Sequence, residues 1–273
     1  MPVRRSPLPA VPSPVPPMRL KHSSNHSLWH AYHRVRTAVL DLVYPSACIV
    51  CKTPGRQSIC ENCRATLPIR SLTTVCSVCG GDILQSETAA GTVAPICPQC
   101  RAHRPAYDTA RSAVAFQGSA RTLVHALKYH HAAWIAKPMA DYLHAAWIAS
   151  FGDELPDLVI PVPLYSVRRF RRTYNQAELL AGSLARKLGV PMAPNLLRRN
   201  RNTPTQTFMN AAQRRENMRN AFSIAKCAAP LLYGKTVLLV DDVMTTGSTF
   251  DACAFPIRSA GAGRILCLSF ARD

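Results

Sequence analysis

Hydrophobic and polar positions change their rhythm three times along the chain. The first 27 residues carry prolines at 2, 7, 9, 12, 14, 16 and 17 and no apolar periodicity. Such a stretch cannot bury enough surface to offset its ordering entropy, and it is predicted to be a disordered extension. Leu28, Tyr32, Val35, Val39 and Val43 then recur at helical spacing and predict a short amphipathic helix. Between Tyr44 and Arg104 the apolar residues are sparse (Ile59, Leu67, Ile69, Val75, Val78, Ile83, Leu84), too few for an unaided core. From about residue 105, short β-branched runs alternate with helical patterns, the habit of an α/β fold with a parallel sheet. Strands are predicted at 111–116, 157–162, 221–225, 236–240 and 264–270. Helices are predicted at 120–129, 137–149 and 176–188, the last ended by Gly189 and Pro191. Another follows Ser248, with Pro256 expected to kink or shorten it. Trp134 and Trp147 are assigned to the core. The expected divisions are thus 1–27, 28–104 and 105–273.

The run Thr236 to Val240 reads as a strand buried on both faces, with Asp241 and Asp242 at its carboxyl end. Thr245, Thr246, Gly247, Ser248 and Thr249 follow, offering hydroxyls and backbone N–H groups just ahead of a predicted helix. A helix N-terminus holds a phosphate, and paired carboxylates accept from sugar hydroxyls. A P-loop would need glycine at position 229, where Ala229 stands, and Gly234-Lys235-Thr236 precedes the strand instead of following it. A phospho-acceptor domain is also excluded, because only 31 of the 273 residues follow Asp242. The remaining alternative is an ordinary polar turn. The stretch resembles the phosphoribosyl pyrophosphate (PRPP) signature of type I phosphoribosyltransferases. That resemblance assigns Asp241 and Asp242 to the ribose hydroxyls and Thr245 to Thr249 to the 5-phosphate.

Cysteines add a second chemistry. Cys48/Cys51, Cys60/Cys63, Cys76/Cys79 and Cys97/Cys100 are four Cys-x-x-Cys pairs. Two such pairs complete a tetrahedral Cys₄ zinc site, so the segment predicts two structural Zn²⁺ ions whose binding supplies folding energy. Sequential pairing is the simplest assignment, and an interleaved one stays open. Redox-active dithiols are the alternative reading, and His103 is a further candidate ligand. Cys227, Cys253 and Cys267 read as buried structural thiols.

Lys and Arg number 33 against 15 Asp and Glu, a formal net charge of +18. This balance implies polyanionic partners: nucleic acid, an acidic membrane surface or phosphorylated ligands. No apolar run is long enough for a transmembrane helix, and no secretory signal is legible, so a cytoplasmic protein without stable membrane insertion is expected. Arg168, Arg169, Arg171 and Arg172 follow a predicted strand and suit the pyrophosphate of PRPP, with or without Mg²⁺, although a solvated basic loop fits them too. Arg198 to Arg219 reads as a long, basic, mobile loop leading into a short helix, a segment able to close over bound pyrophosphate. Phe170, Tyr174 and Phe208 lie among these charges. A basic groove with aromatic platforms also holds single-stranded DNA.

Taken together, a cysteine-rich double zinc ribbon before a phosphoribosyltransferase-like domain resembles the ComF family, which includes competence proteins for DNA uptake. The resemblance is carried by Tyr44 to Cys51, the later cysteine pairs, Ala126-Leu-Lys128, Pro161-Val-Pro163, Arg172-Thr-Tyr-Asn-Gln176, Arg214 to Phe222, and Asp241 to Thr249. The family usually has Arg-Gly-Phe-Asn-Gln at the fifth of these. Family membership implies a type I phosphoribosyltransferase-like parallel sheet flanked by helices, PRPP binding with Mg²⁺, and partners among DNA-uptake proteins. Transfer to an acceptor is less firmly implied: Val243 to Thr249 holds no acid or histidine, so no general base is named.

Overall fold

The computed structural model describes residues 47–83, 95–164, 174–200, 221–225 and 229–273. Outside them lie the proline-rich extension, the helix predicted at 28–43, Phe170, Phe208, Cys227, and the four arginines Arg168, Arg169, Arg171 and Arg172.

Four strands build a parallel sheet: β1 (Thr109–Ala115), β2 (Leu158–Pro161), β5 (Thr236–Met244) and β6 (Arg264–Arg272), in the spatial order β1-β6-β5-β2. Val237 to Val240 and Ile265 to Phe270 are fully shielded from solvent, as strands covered on both faces require. One face carries α3 (Gly118–Tyr129), α4 (Ala136–Phe151) and α5 (Gln176–Leu188), packed through Leu123, Leu127, Met139, Trp147, Leu180 and Leu184. The other carries α6 (Ser248–Ser259), packed through Phe250, Cys253 and Ile257. Local chemistry sets the helix ends. The Asn175 side chain caps α5 by accepting from the Ala177 N–H at 3.1 Å, and Gly189 ends it in the left-handed conformation. Pro256 sits inside α6 near its end, where its missing N–H leaves only one late hydrogen bond unmade.

Three expectations are corrected. Trp134 is 52% exposed; only Trp147 is a core residue, its indole N–H donating to the Glu154 carbonyl. β5 runs four residues past Val240, because β6 continues beside it and pairs Asp241, Val243 and Met244 with Ser269, Ala271 and Arg272. The segment opening at Arg198 does not begin as a loop. Leu197–Arg199 forms β3, antiparallel to β4 (Phe222–Ile224), with Leu197 and Phe222 supplying the apolar anchors.

Both sheet edges are covered. Beside β2, Val159 forms a parallel bridge with Met192. Beside β1, the cysteine-rich segment supplies the partner groups: Arg70 N–H donates to Ala113, Ala115 N–H to Pro68, and Ala110 N–H to Val78. An open edge invites pairing with other chains, so this cover also protects solubility. The cysteine-rich segment adds two short helices, α1 (Glu61–Ala65) and α2 (Pro98–Ala102), each placing one cysteine inward. Its halves serve different faces. Cys48, Ile59, Cys63 and Leu67 join the core beneath α3 to α5, whereas Cys76, Val78, Cys79 and Cys100 join the core around α6. From Ser46 to Asp273 the described residues belong to one compact unit.

Candidate functional site

β2 and β5 are neighbours, yet the chain leaves them in opposite directions: β2 is followed by α5 on one face, β5 by α6 on the other. Such a switch point opens a crevice at the carboxyl ends of the strands, where open α/β sheets bind ligands. The last β2–β5 contact is the Val162 N–H donating to the Val240 carbonyl at 2.9 Å. Asp241 and Asp242 come next on β5, so both acids stand where the edge has lost its partner.

Strand alternation sends the two side chains to opposite faces. Asp242 is 8% exposed and its Oδ1 meets the Lys128 ammonium at 3.1 Å, on the α3 side. Asp241 is partly buried, and its Oδ1 accepts from the Asp242 backbone N–H at 2.8 Å. Burial, and then the neighbouring Asp242 carboxylate, push Asp241 up to about 8, against smaller opposing effects from that N–H, Lys128 and Arg199. Arg199 comes from β3 and stacks its guanidinium 5.4 Å from the Phe222 ring centre.

Beyond Met244 the chain turns through Thr245 and Thr246, both exposed, into Gly247. Gly247 has φ +81°, and a β-carbon there would sit 2.7 Å from Met244 Cε and 2.9 Å from the Tyr107 hydroxyl. Position 247 therefore needs glycine twice, for its backbone angle and for space. Thr246 Oγ1 accepts from the Ser248 N–H at 3.4 Å, and the N-cap residue of α6, Gly247, has no side chain to cap the N–H groups that follow. The N–H groups of its first turn and the positive end of its dipole face this bend, the arrangement that binds an anion. Behind the bend a small cleft of about 50 Å³ is lined by Thr246, Gly247, Ser248, Asp251, Tyr107 and His103 among others.

Several supporting residues carry no motif of their own. The entry to α5 is tied down by Tyr174, whose hydroxyl donates to the Leu127 carbonyl at 2.7 Å, and by Asn175, which donates to the Val162 carbonyl at 3.1 Å. Leu127 lies in the last turn of α3, where carbonyls lack helical partners. Tyr174 is thus an anchor, not the exposed platform the sequence suggests. Arg272, at the end of β6, donates to the Cys79 carbonyl at 2.7 Å and lies 3.4 Å from Met244 Sδ. It joins the strand that leads into the bend to the cysteine-rich segment.

The eight cysteines gather as two groups, Cys48/Cys51/Cys60/Cys63 and Cys76/Cys79/Cys97/Cys100, each with its sulfurs within 4.8 Å of one another. Zn–S bonds of about 2.3 Å in a tetrahedron put sulfurs about 3.8 Å apart. Cys51 and Cys60 are 3.6 Å apart, Cys79 and Cys97 3.8 Å, so each group fits one zinc ion. The pairing is sequential. His103 belongs to neither group; its Nε2 lies 3.4 Å from Asp251, whose other oxygen accepts from the Ala106 N–H. Cys253 and Cys267 are buried. Among the described residues no helix is long and apolar enough to cross a membrane.

Two four-cysteine sites ahead of a parallel sheet with a glycine bend before a helix start define a class, and comparison with known proteins agrees. Residues 39–101 match the double zinc ribbon domain, and residues 175–272 the phosphoribosyl transferase domain. Over 231 residues the chain is 32% identical to Competence protein F of Haemophilus influenzae, covering 82% of this chain and 96% of that protein. It is 31% identical over 231 residues to the DNA utilization protein YhgH of Escherichia coli strain K12, with the same shares covered. The chain belongs to this family, the ComF family. Among solved structures, glutamine PRPP amidotransferase from B. subtilis is similar at 23% identity and a TM-score of 0.33, over 50% of this chain and 26% of that one.

Proposed function

We propose that the protein binds PRPP at the carboxyl ends of β2 and β5 and transfers its phosphoribosyl group to an acceptor. In this reading Thr245 to Thr249 and the first turn of α6 hold the 5-phosphate, while Asp241 and Asp242 accept from the ribose hydroxyls. Arg168, Arg169, Arg171 and Arg172 reach the pyrophosphate, and Mg²⁺ travels with the ligand. The observation that carries it is the start of α6 at Gly247, a residue with no capping side chain, one turn beyond two carboxylates at a switch point. The chemistry is positioning and charge stabilisation: the phosphate anchors one end of the sugar, the hydroxyls orient the ring, and the departing pyrophosphate meets cationic groups. Mg²⁺ neutralises pyrophosphate charge when bound.

Calorimetry with PRPP and Mg²⁺ tests this directly. Saturable binding is expected, and replacing both acids (Asp241→Asn with Asp242→Asn) should abolish it. A wild-type protein that takes up no PRPP would end the proposal. Pyrophosphate release against a panel of acceptors then tests turnover.

A second reading, single-stranded DNA handling in DNA uptake with PRPP as a regulatory ligand, draws on two observations. Relatives are named Competence protein F and DNA utilization protein. Between Arg168 and Arg219 twelve Lys and Arg face only Glu178 and Glu216, which is net +10 of the chain's +18.

A further inference from the structure

The solvent face of α3 carries an unusual side-chain row. Helices in this position bury one stripe and fill the other with mixed charges. Here the buried stripe is ordinary (Ala120, Leu123, Val124, Ala126, Leu127), but the outer row Arg121, His125 and Tyr129 repeats every four residues without an acid. Those three are exposed, Tyr129 by 57%. Neighbouring rings are close but not all parallel, the His125 and Tyr129 planes being tilted by 54°. His125 stacks on the Phe116 ring with centres 6.4 Å apart and planes 22° from parallel. Tyr129 lies 5.6 Å beyond His125, and the Arg121 guanidinium stands 6.0 Å from the Phe116 ring centre. Arg121 is the cation beside the rings, whereas Lys128 is paired with Asp242 and Arg111 donates to the Cys76 and Ser77 carbonyls. From Thr109 to Ala140 the chain contains no Asp or Glu but has Arg111, Arg121, Lys128 and Lys137.

Exposed rings cost solvation free energy, and successive rings beside a cation are what unpaired bases stack on. Protein interfaces use rings and arginines too, but a row without an acid on a chain of net charge +18 favours a polyanion. Duplex DNA hides its base faces and offers only grooves and phosphates. We propose that single-stranded DNA lies along this face of α3, its bases stacked on Phe116, His125 and Tyr129 and its phosphates paired with Arg121. This rests on the second reading above and gives it a site apart from the sugar-phosphate crevice.

The test is fluorescence anisotropy of a labelled 20-nucleotide oligo-dT with the full-length chain over a salt series. Wild type is expected to bind the single strand more tightly than the matching duplex. The double variant His125→Ala, Tyr129→Ala should bind at least tenfold more weakly, since each stacked base contributes about 1–3 kcal/mol. Arg121→Ala should lower the slope of log affinity against log salt by about one. Phe255→Ala removes an exposed ring on the opposite face of the sheet and should change nothing. All four side chains lie outside the core, so thermal unfolding should confirm folded variants; His125→Gln serves if the double variant fails to fold. Equal affinity of wild type and variants overturns this assignment while leaving single-strand binding intact. So does duplex bound as tightly as single strand. No binding of oligo-dT by wild type at low salt overturns both this site and the second reading.

Discussion

Asp241 and Asp242 differ only in which way the strand points them, and that difference decides their chemistry. Asp242 has Lys128 at 3.1 Å; Asp241 has burial and a neighbouring negative charge. For Asp241 the sign of the pH effect follows. The folded state keeps its proton up to about pH 8, whereas the unfolded chain releases it near pH 3.9. Between those values the fold loses stability as pH rises, on the order of 1 kcal/mol per pH unit at most, and above about 8 the loss is complete. Asp241→Asn should therefore melt increasingly above wild type as pH goes from 5 to 8, with no further gain by pH 9. Melting curves with parallel pH dependence would show that Asp241 is not strained in this way. The Lys128 prediction has the opposite sense. Lys128→Met leaves the Asp242 carboxylate without its cation and should cost about 2 kcal/mol in a urea titration, partly restored by adding Asp242→Asn. Under the PRPP proposal, a strained acid next to a paired one is the residue-scale mark of a site kept for a ligand.

At the scale of elements, the sequence was most informative where packing and local chemistry agree. α5 was legible from 176 to 188 with Gly189 at its end, and both are seen; its Asn175 cap is added by the structure. Strands β5 and β6 were legible as apolar runs, but not their last residues. Asp241, Val243 and Arg272 extend them because neighbouring strands pair there, and pairing has no periodicity to read. β3 was hidden for a similar reason: three residues with two arginines become a strand only when β4 lies beside them. Trp134 failed differently, since one large apolar residue carries no direction until its turn is placed. In the site, Gly247 stood out and Tyr107 did not, because Tyr107 reaches the bend from the start of β1 across the fold. This juxtaposition yields a prediction. Gly247→Ala must accept a positive φ and press on Met244 and Tyr107, at a cost of about 1–3 kcal/mol. Under the PRPP proposal, calorimetry should also show ribose 5-phosphate binding weakened at least tenfold. A variant equal to wild type in both would mean that the bend is loosely held.

Across the whole molecule the two cysteine groups are fitted to opposite faces of one sheet, and each is built into the core it serves. Structural zinc in small domains contributes about 10–16 kcal/mol, as much as a whole domain's stability of about 5–15. Metal loss should therefore do more than loosen a surface appendage. It should release the segment that covers β1, where the Arg70, Ala110 and Ala115 N–H bonds are made, and open an edge that invites aggregation. Elemental analysis should find two zinc ions per chain, and single-site variants should separate the two faces. Cys48→Ser empties the group packed beneath α3 to α5 and should raise amide hydrogen exchange there first. Cys79→Ser empties the group whose backbone carbonyl holds Arg272, and through it Met244, so exchange should rise at the end of β5 and the start of α6. Under the PRPP proposal the bend that would hold the phosphate lies on that second path, and ribose 5-phosphate affinity should fall with Cys79→Ser before it falls with Cys48→Ser. Equal losses of affinity and protection in the two variants would mean that the ribbons act as one clamp on the whole sheet, with no private route from the second zinc group to the bend.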